Sequence, residues 1–199
     1  VALELLKEAG TPIAAPSANR FGHLSPTEAF HVKKYLGNKV DLILDGGKCS
    51  VGIESTIIQY EEGSFYLLRH GGISKEEVEK ITGKISNKKP NAEKPNSPGQ
   101  LPFHYSPNTP LKFYDASLFD ESKKIGALFY KKKIDNYNYK MERVLSPSGN
   151  LREAAANLFL MLHELESSEL DLILVEKIEQ SGLGRAIMDR LSKAVNKHY

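Results

Sequence analysis

The sequence predicts an α/β protein in two parts joined by a proline-rich linker. Residues 1–83 mix short β-rich runs with amphipathic helical stretches, which reads as an α/β twisted-sheet unit. Residues 111–199 alternate strand, helix and strand, the pattern of a small doubly wound parallel sheet covered by helices. Between them, residues 84–110 hold six prolines, with Lys, Asn and Ser in most of the gaps, and predict a semi-extended linker.

In chain order, Ala2, Leu5, Leu6 and Ala9 have helical spacing, and Gly10 suits the left-handed residue after a helix end. Residues 12–15 are a short strand candidate. Ser25, Pro26, Thr27 and Glu28 read as a capping box with proline at the first helical position. The helix that follows presents Ala29, Phe30, Val32, Tyr35 and Leu36 and stops at Gly37. Residues 40–44, an unbroken apolar run around one Asp, predict a buried strand ended by Asp45-Gly46-Gly47. Two β-rich runs around Gly63 predict a hairpin. Ser74 and Glu77 repeat the capping-box spacing at the start of a helix that ends at Gly83.

The linker carries Phe103, His104 and Tyr105, aromatic groups that a pure spacer does not need. Beyond Pro110 the strand candidates are LKFYD, IGALFY, RVL and LDLILV. A helix over residues 151–165 places Leu151, Ala155, Leu158, Leu162 and Leu165 on one face, with Asn150 as its cap. A last helix follows Gly182-Leu183-Gly184.

The chain of 199 residues is 40% hydrophobic and 26% charged, the balance of a globular protein with an ordinary core. Its net charge is +2 and evenly spread: residues 1–110 carry 13 basic and 12 acidic side chains, residues 111–199 carry 14 and 13. That evenness gives no general nucleic-acid or membrane footprint. The lone Cys49 excludes an internal disulfide and a multi-cysteine zinc site. No apolar run approaches a bilayer span and no signal peptide is visible, so the cytoplasm is the expected location.

Residues 11–30 concentrate the chemistry. A turn rich in hydroxyls and amides before a helix start suits an anion, because free N–H groups and the helix dipole point there; a plain polar loop remains equally open. Gly47 and Gly52 have the spacing of a phosphate loop but lack the Lys-Ser/Thr that should follow, so that reading fails. Glu54, Ser55 and Thr56 head a strand and could hold a small carboxylate or phosphate, or be turn chemistry. Arg69 ends the next strand, where its planar fork suits an oxyanion or simply faces solvent. The six histidines show no ligand-like pair, and His163 is expected on the surface of its helix.

Taken together, PIAAPSANRFGHLSPT, DGGKCSVGIESTII, LLRHGGIS, SPGQLPFHYSPNTPL and GLGRAIMDRLSKAV resemble, in this order, the two-domain threonylcarbamoyl-AMP synthases. In those proteins a YrdC-like catalytic domain is joined by a proline-bearing linker to a small Rossmann-like domain. The resemblance implies a nucleotidyltransferase. L-threonine is carboxylated with bicarbonate or CO2, the carbamate attacks the α-phosphate of ATP, carried with Mg²⁺, and threonylcarbamoyl-AMP and pyrophosphate form. Partner proteins then pass the product to tRNA. It further implies that Ser17, Ser25, Arg69 and Tyr105 contact ATP and that the Ala15 backbone and Ser55 contact threonine. Asn19 and Thr56 are motif neighbours, and Tyr105 reaches back over the nucleotide from a lid-like linker.

In this family a Lys/Arg-rich phosphate-binding portion precedes the segment that begins here at Val1. The expectation is therefore an N-terminally truncated chain, inactive by itself, with unpaired strand edges and exposed apolar surface in residues 1–83. The rival from another class is a non-catalytic RNA- or nucleotide-binding module on the same scaffold. A related carbamoyl-transferring module is disfavoured by the linker and second domain.

Overall fold

The computed structural model describes residues 1–87 and 104–196. Helices α1 (Ala2–Ala9) and α2 (Ala29–Leu36) precede the antiparallel hairpin β1 (Ile57–Glu61) and β2 (Ser64–Arg69). Its tight turn works because Glu62 and Gly63 both take positive φ, the geometry that matches the twist of paired strands. Helix α3 (Lys75–Thr82) starts with the expected capping box: Ser74 accepts from the Glu77 N–H while the Glu77 carboxylate accepts from the Ser74 N–H. Strand β3 (Ser86–Asn87) then pairs parallel with β2.

The second sheet holds β4 (Leu111–Phe113), β5 (Ile125–Phe129), β6 (Met141–Val144) and β7 (Leu172–Val175) in the order β4-β7-β5-β6, every pair parallel. Helix α4 (Leu151–Glu166) links β6 to β7, and α5 (Gly184–Val195) follows β7. Period-2 alternation decides which face each side chain covers. Leu111, Leu128, Ile173 and Val175 meet the apolar stripes of α4 and α5 in the main core. Ile125, Ala127, Phe129 and Leu174 face the other way, under Phe119, Tyr137 and Tyr139. Both long helices thus cover one face, and aromatic side chains from the connecting loops seal the other.

The Asn150 Oδ1 caps α4 by accepting from the N–H groups of Arg152 and Glu153. Asn150→Ala should lower unfolding free energy by about 1 kcal/mol, read as a shift in denaturation midpoint with an unchanged slope.

Three local expectations fail. Residues 12–15 and 40–44 are not strands: a strand needs a hydrogen-bonded neighbour, and neither finds one among the described residues. Ile13, Leu42 and Leu44 are 47%, 75% and 51% exposed, and α1 buries no side chain. The Ser25 capping box does not form either. Helix α2 starts only at Ala29, with Glu28 as an N-cap that makes no side-chain bond, because Ser25 is drawn away to Glu54.

The segment expected as a linker is packed at both described ends. Ile85 is buried and leads into β3, while Tyr105 and Ser106 sit in the core, Ser106 donating its N–H to the Gly22 carbonyl and its hydroxyl to that of Ala194. Residues 88–103, with Pro90, Pro95, Pro98, Pro102 and Phe103, lie outside the described residues.

Candidate active site

The extended stretch before α2 and the loop before β1 flank an open cavity of about 460 Å³. Ser17, Ala18, Ser25, Pro26 and Thr27 form one side, and residues 49–54 the other. Gly52 brings the second wall in. It holds φ of +72°, and a Cβ placed on it would fall 2.5 Å from the Ala156 Cα and carbonyl oxygen of α4. Only glycine combines that backbone conformation with so close an approach.

Glu54, in the cavity wall, is held from two directions. Its Oε1 accepts from the Ser25 hydroxyl at 2.5 Å, and its Oε2 from Arg190 Nε at 2.8 Å. Burial works against the Glu54 charge, but the Arg190 guanidinium and the Ser25 hydroxyl outweigh it, and the carboxyl stays below its usual range. Arg190 is 1% exposed. Its Nη1 donates to Asp189 Oδ2 at 2.6 Å, and its guanidinium carbon lies 5.0 Å from the centre of the Tyr105 ring.

Of the residues singled out by the sequence, Ser17 and Ser25 line one cavity. Ser55 and Arg69 touch each other: Arg69 Nε donates to the Ser55 carbonyl at 3.0 Å and Nη2 to the Ser55 hydroxyl at 3.1 Å. Thr56 is occupied with the following loop, its hydroxyl donating to the Ile73 carbonyl and accepting from the Ile73 N–H. Asn19 shapes its turn by donating to the Arg20 and His23 carbonyls, and its Oδ1 is buried with no partner. Ala15 lies in the exposed extended segment. Tyr105 is 2% exposed and holds φ of +63°, its ring packed against His104, Phe159 and Arg190. Burial raises its phenol pKa.

His163 overturns the expectation of a surface position. It is 2% exposed, and its Nε2–H donates to the Ser25 carbonyl at 3.0 Å. Its ring stacks on His31 with centroids 3.7 Å apart. Burial drives its pKa down to about 4, so the imidazole is neutral at pH 7. Tyr35, donating to Glu166, closes this cluster. Ser25 is thereby fixed at its carbonyl by α4 and at its hydroxyl by Glu54.

Arg190 and His163 were the residues that sequence reasoning missed. A usable signal existed. Arg190 lies among Ala186, Ile187, Leu191 and Ala194, and His163 continues the line of Phe159, so each sits inside the apolar stripe of its helix. A polar group there needs a buried partner.

Comparison with known proteins bears on what this arrangement is. The family model described as "Threonylcarbamoyl-AMP synthase, C-terminal domain" matches residues 73–195. The chain belongs to this threonylcarbamoyl-AMP synthase family. Residues 1–71 match a second family model, described as "Telomere recombination". The chain is 37% identical to the threonylcarbamoyl-AMP synthase of Bacillus subtilis (strain 168) across 98% of its own length and 60% of that protein's. For the threonylcarbamoyl-AMP synthase of Pyrococcus abyssi the figures are 35%, 98% and 61%, and for that of Schizosaccharomyces pombe 34%, 98% and 55%. The chain thus spans about three fifths of the length of these synthases. Among solved structures, P. abyssi Sua5 complexed with L-threonine superposes with a TM-score of 0.86 at 33% identity, over 99% of this chain and 62% of that one. The mixed α/β architecture with a parallel C-terminal sheet is therefore that of a threonylcarbamoyl-AMP synthase. No described helix is long and apolar enough to cross a membrane.

Proposed function

We propose that the protein to which this chain belongs makes threonylcarbamoyl-AMP and pyrophosphate from L-threonine, bicarbonate or CO2, and ATP. The observation that carries this reading is the direct contact between Ser55 and Arg69, 3.1 Å from hydroxyl to guanidinium. A carbamate attacking an α-phosphate needs its two carriers within van der Waals reach and correctly oriented, because positioning supplies much of such an acceleration. A threonine-binding hydroxyl beside a phosphate-binding guanidinium provides that adjacency.

In this reading Ser55 and the Ala15 backbone hold threonine, whose amine forms the carbamate with loss of water from bicarbonate, or with loss of a proton when it takes up CO2. Arg69 meets the triphosphate and offsets charge that builds on the α-phosphate as pyrophosphate leaves. Ser17 and Ser25 hold the nucleotide from the cavity wall, with Asn19 and Thr56 shaping the backbone beside them. Tyr105 meets it by an edge only, since its ring is 2% exposed. Residues 1–83 supply the substrate walls and residues 111–199 brace them from behind. Among the described residues Glu54 is the one carboxylate lining the cavity, and it is engaged by Ser25 and Arg190, so Mg²⁺ would arrive with ATP as part of the substrate. The product would go to partner proteins that modify tRNA, in the cytoplasm where ATP and threonine are at hand.

Pyrophosphate release by the intact protein should require threonine, bicarbonate and ATP together. Ser55→Ala should raise KM for threonine about tenfold with a small change for ATP, and Arg69→Gln should raise KM for ATP by about 10- to 100-fold. Release that is indifferent to threonine, or a Ser55→Ala effect confined to ATP, would refute the assignment.

A further inference from the structure

Arg190 belongs to α5, outside every residue given a substrate role above, yet it is the most deeply committed charged side chain described at the site. It is 1% exposed, gives Nε to Glu54 and Nη1 to Asp189, and sets its guanidinium carbon over the Tyr105 ring. Its Nη2 is buried and makes no hydrogen bond. A buried ion pair is a weak source of stability, and apolar residues of similar volume commonly do as well. What a guanidinium adds is direction, because its donors leave in one fixed plane.

That direction passes to Ser25. An ionised carboxylate can only accept, so the contact between Ser25 Oγ and Glu54 Oε1 spends the single hydroxyl proton of Ser25 on Glu54. With its carbonyl held by His163, Ser25 cannot turn the whole residue to free that proton. What Ser25 offers the cavity is therefore a lone pair. A phosphate oxygen, itself only an acceptor, gains nothing there, whereas a ribose hydroxyl or the exocyclic amino group of adenine has a proton to give.

We propose that Arg190 is a positioning residue which, through Glu54, sets the Ser25 hydroxyl as a hydrogen-bond acceptor, so that this end of the cavity selects the donor-bearing nucleoside end of ATP. The proposal rests on the ATP-dependent reaction above.

The test compares equilibrium dissociation constants of the intact protein for ATP, 2′-deoxy-ATP, 3′-deoxy-ATP and the triphosphate lacking the 6-amino group. Pyrophosphate release is measured beside them. The wild type should bind at least one analogue about tenfold more weakly than ATP, and which one names the group that Ser25 reads. Glu54→Leu combined with Arg190→Met replaces the ion pair by apolar side chains, removes the carboxylate acceptor and frees the Ser25 proton; the discrimination should fall to within about twofold while KM for threonine holds. Ser25→Ala, which keeps the ion pair and so guards against a folding defect in the double variant, should lose the same discrimination. Wild-type discrimination that persists in both variants, or affinities equal for all four nucleotides, overturns the proposal. Discrimination that is lost in both variants, with no pyrophosphate release from the wild type, supports the role of Ser25 and overturns the reaction instead.

Discussion

Gly52→Ala should cost about 3 kcal/mol or more in unfolding free energy. Two penalties act together. A side chain at φ of +72° is strained by about 1–2 kcal/mol, and the new methyl would lie 2.5 Å from α4 backbone atoms, which cannot rotate out of its way. Gly47 separates the two, since it holds φ of +79° with nothing within 4 Å of a Cβ. Gly47→Ala should therefore cost only the strain, about 1–2 kcal/mol. Chemical denaturation of both variants provides the measurement, and equal losses would show that the approach of the loop to α4 does not matter. Because Gly52 is two residues from Glu54, the first variant should also weaken ATP binding.

Acid should unfold the protein in an identifiable window. His163 has a folded pKa of about 4 against an ordinary 6.5, so below pH 6.5 the unfolded chain binds a proton that the folded one refuses. The stability associated with neutral His163 is complete above pH 6.5 and lost as pH falls toward 4. The shift corresponds to about 3 kcal/mol. His31, stacked on it and also lowered by burial, adds to the slope in the same direction. Glu54 contributes further down: its depressed pKa stabilises the fold above the ordinary carboxylate range and is lost only as pH falls through the folded value. His163→Gln keeps a donor for the Ser25 carbonyl but cannot titrate. It should reduce the slope of stability between pH 6.5 and 4 to the part that His31 supplies, and a wild-type slope in that variant would place the titration elsewhere.

The contrast between these residues shows what the sequence made legible. Asn150, the Ser74–Glu77 box and the turn at Gly63 were readable because their partners lie within four residues along the chain. The parallel C-terminal sheet was readable because alternation of strand and helix leaves few other arrangements. Ser25 misled for the converse reason: its local capping box was outcompeted by Glu54, 29 residues away. Residues 12–15 and 40–44 look like strands by composition, but pairing depends on neighbours that composition cannot name. At the site, Ser17, Ser25, Ser55 and Arg69 came from motif resemblance, and the structure adds that they group in two contacts, a cavity wall and a Ser55–Arg69 pair. The apolar stripes around Arg190 and His163 signal that each needs a buried partner, but those partners, Glu54 and Ser25, lie in the other half of the chain.

Those partnerships constrain the order in which the molecule is built. Ser25 meets His163 across 138 residues and Glu54 meets Arg190 across 136. Contacts at such separation form only after the loop entropy between them has been overcome, late in the search for the native state. During synthesis, the cavity wall must wait unfinished until α5 has left the ribosome. A nascent chain that stops short of α5 would hold Glu54 and Ser25 as ordinary solvated side chains, with nothing to fix the hydroxyl. Nucleotide affinity should thus appear as a late, all-at-once property of the growing polypeptide, acquired when α5 docks.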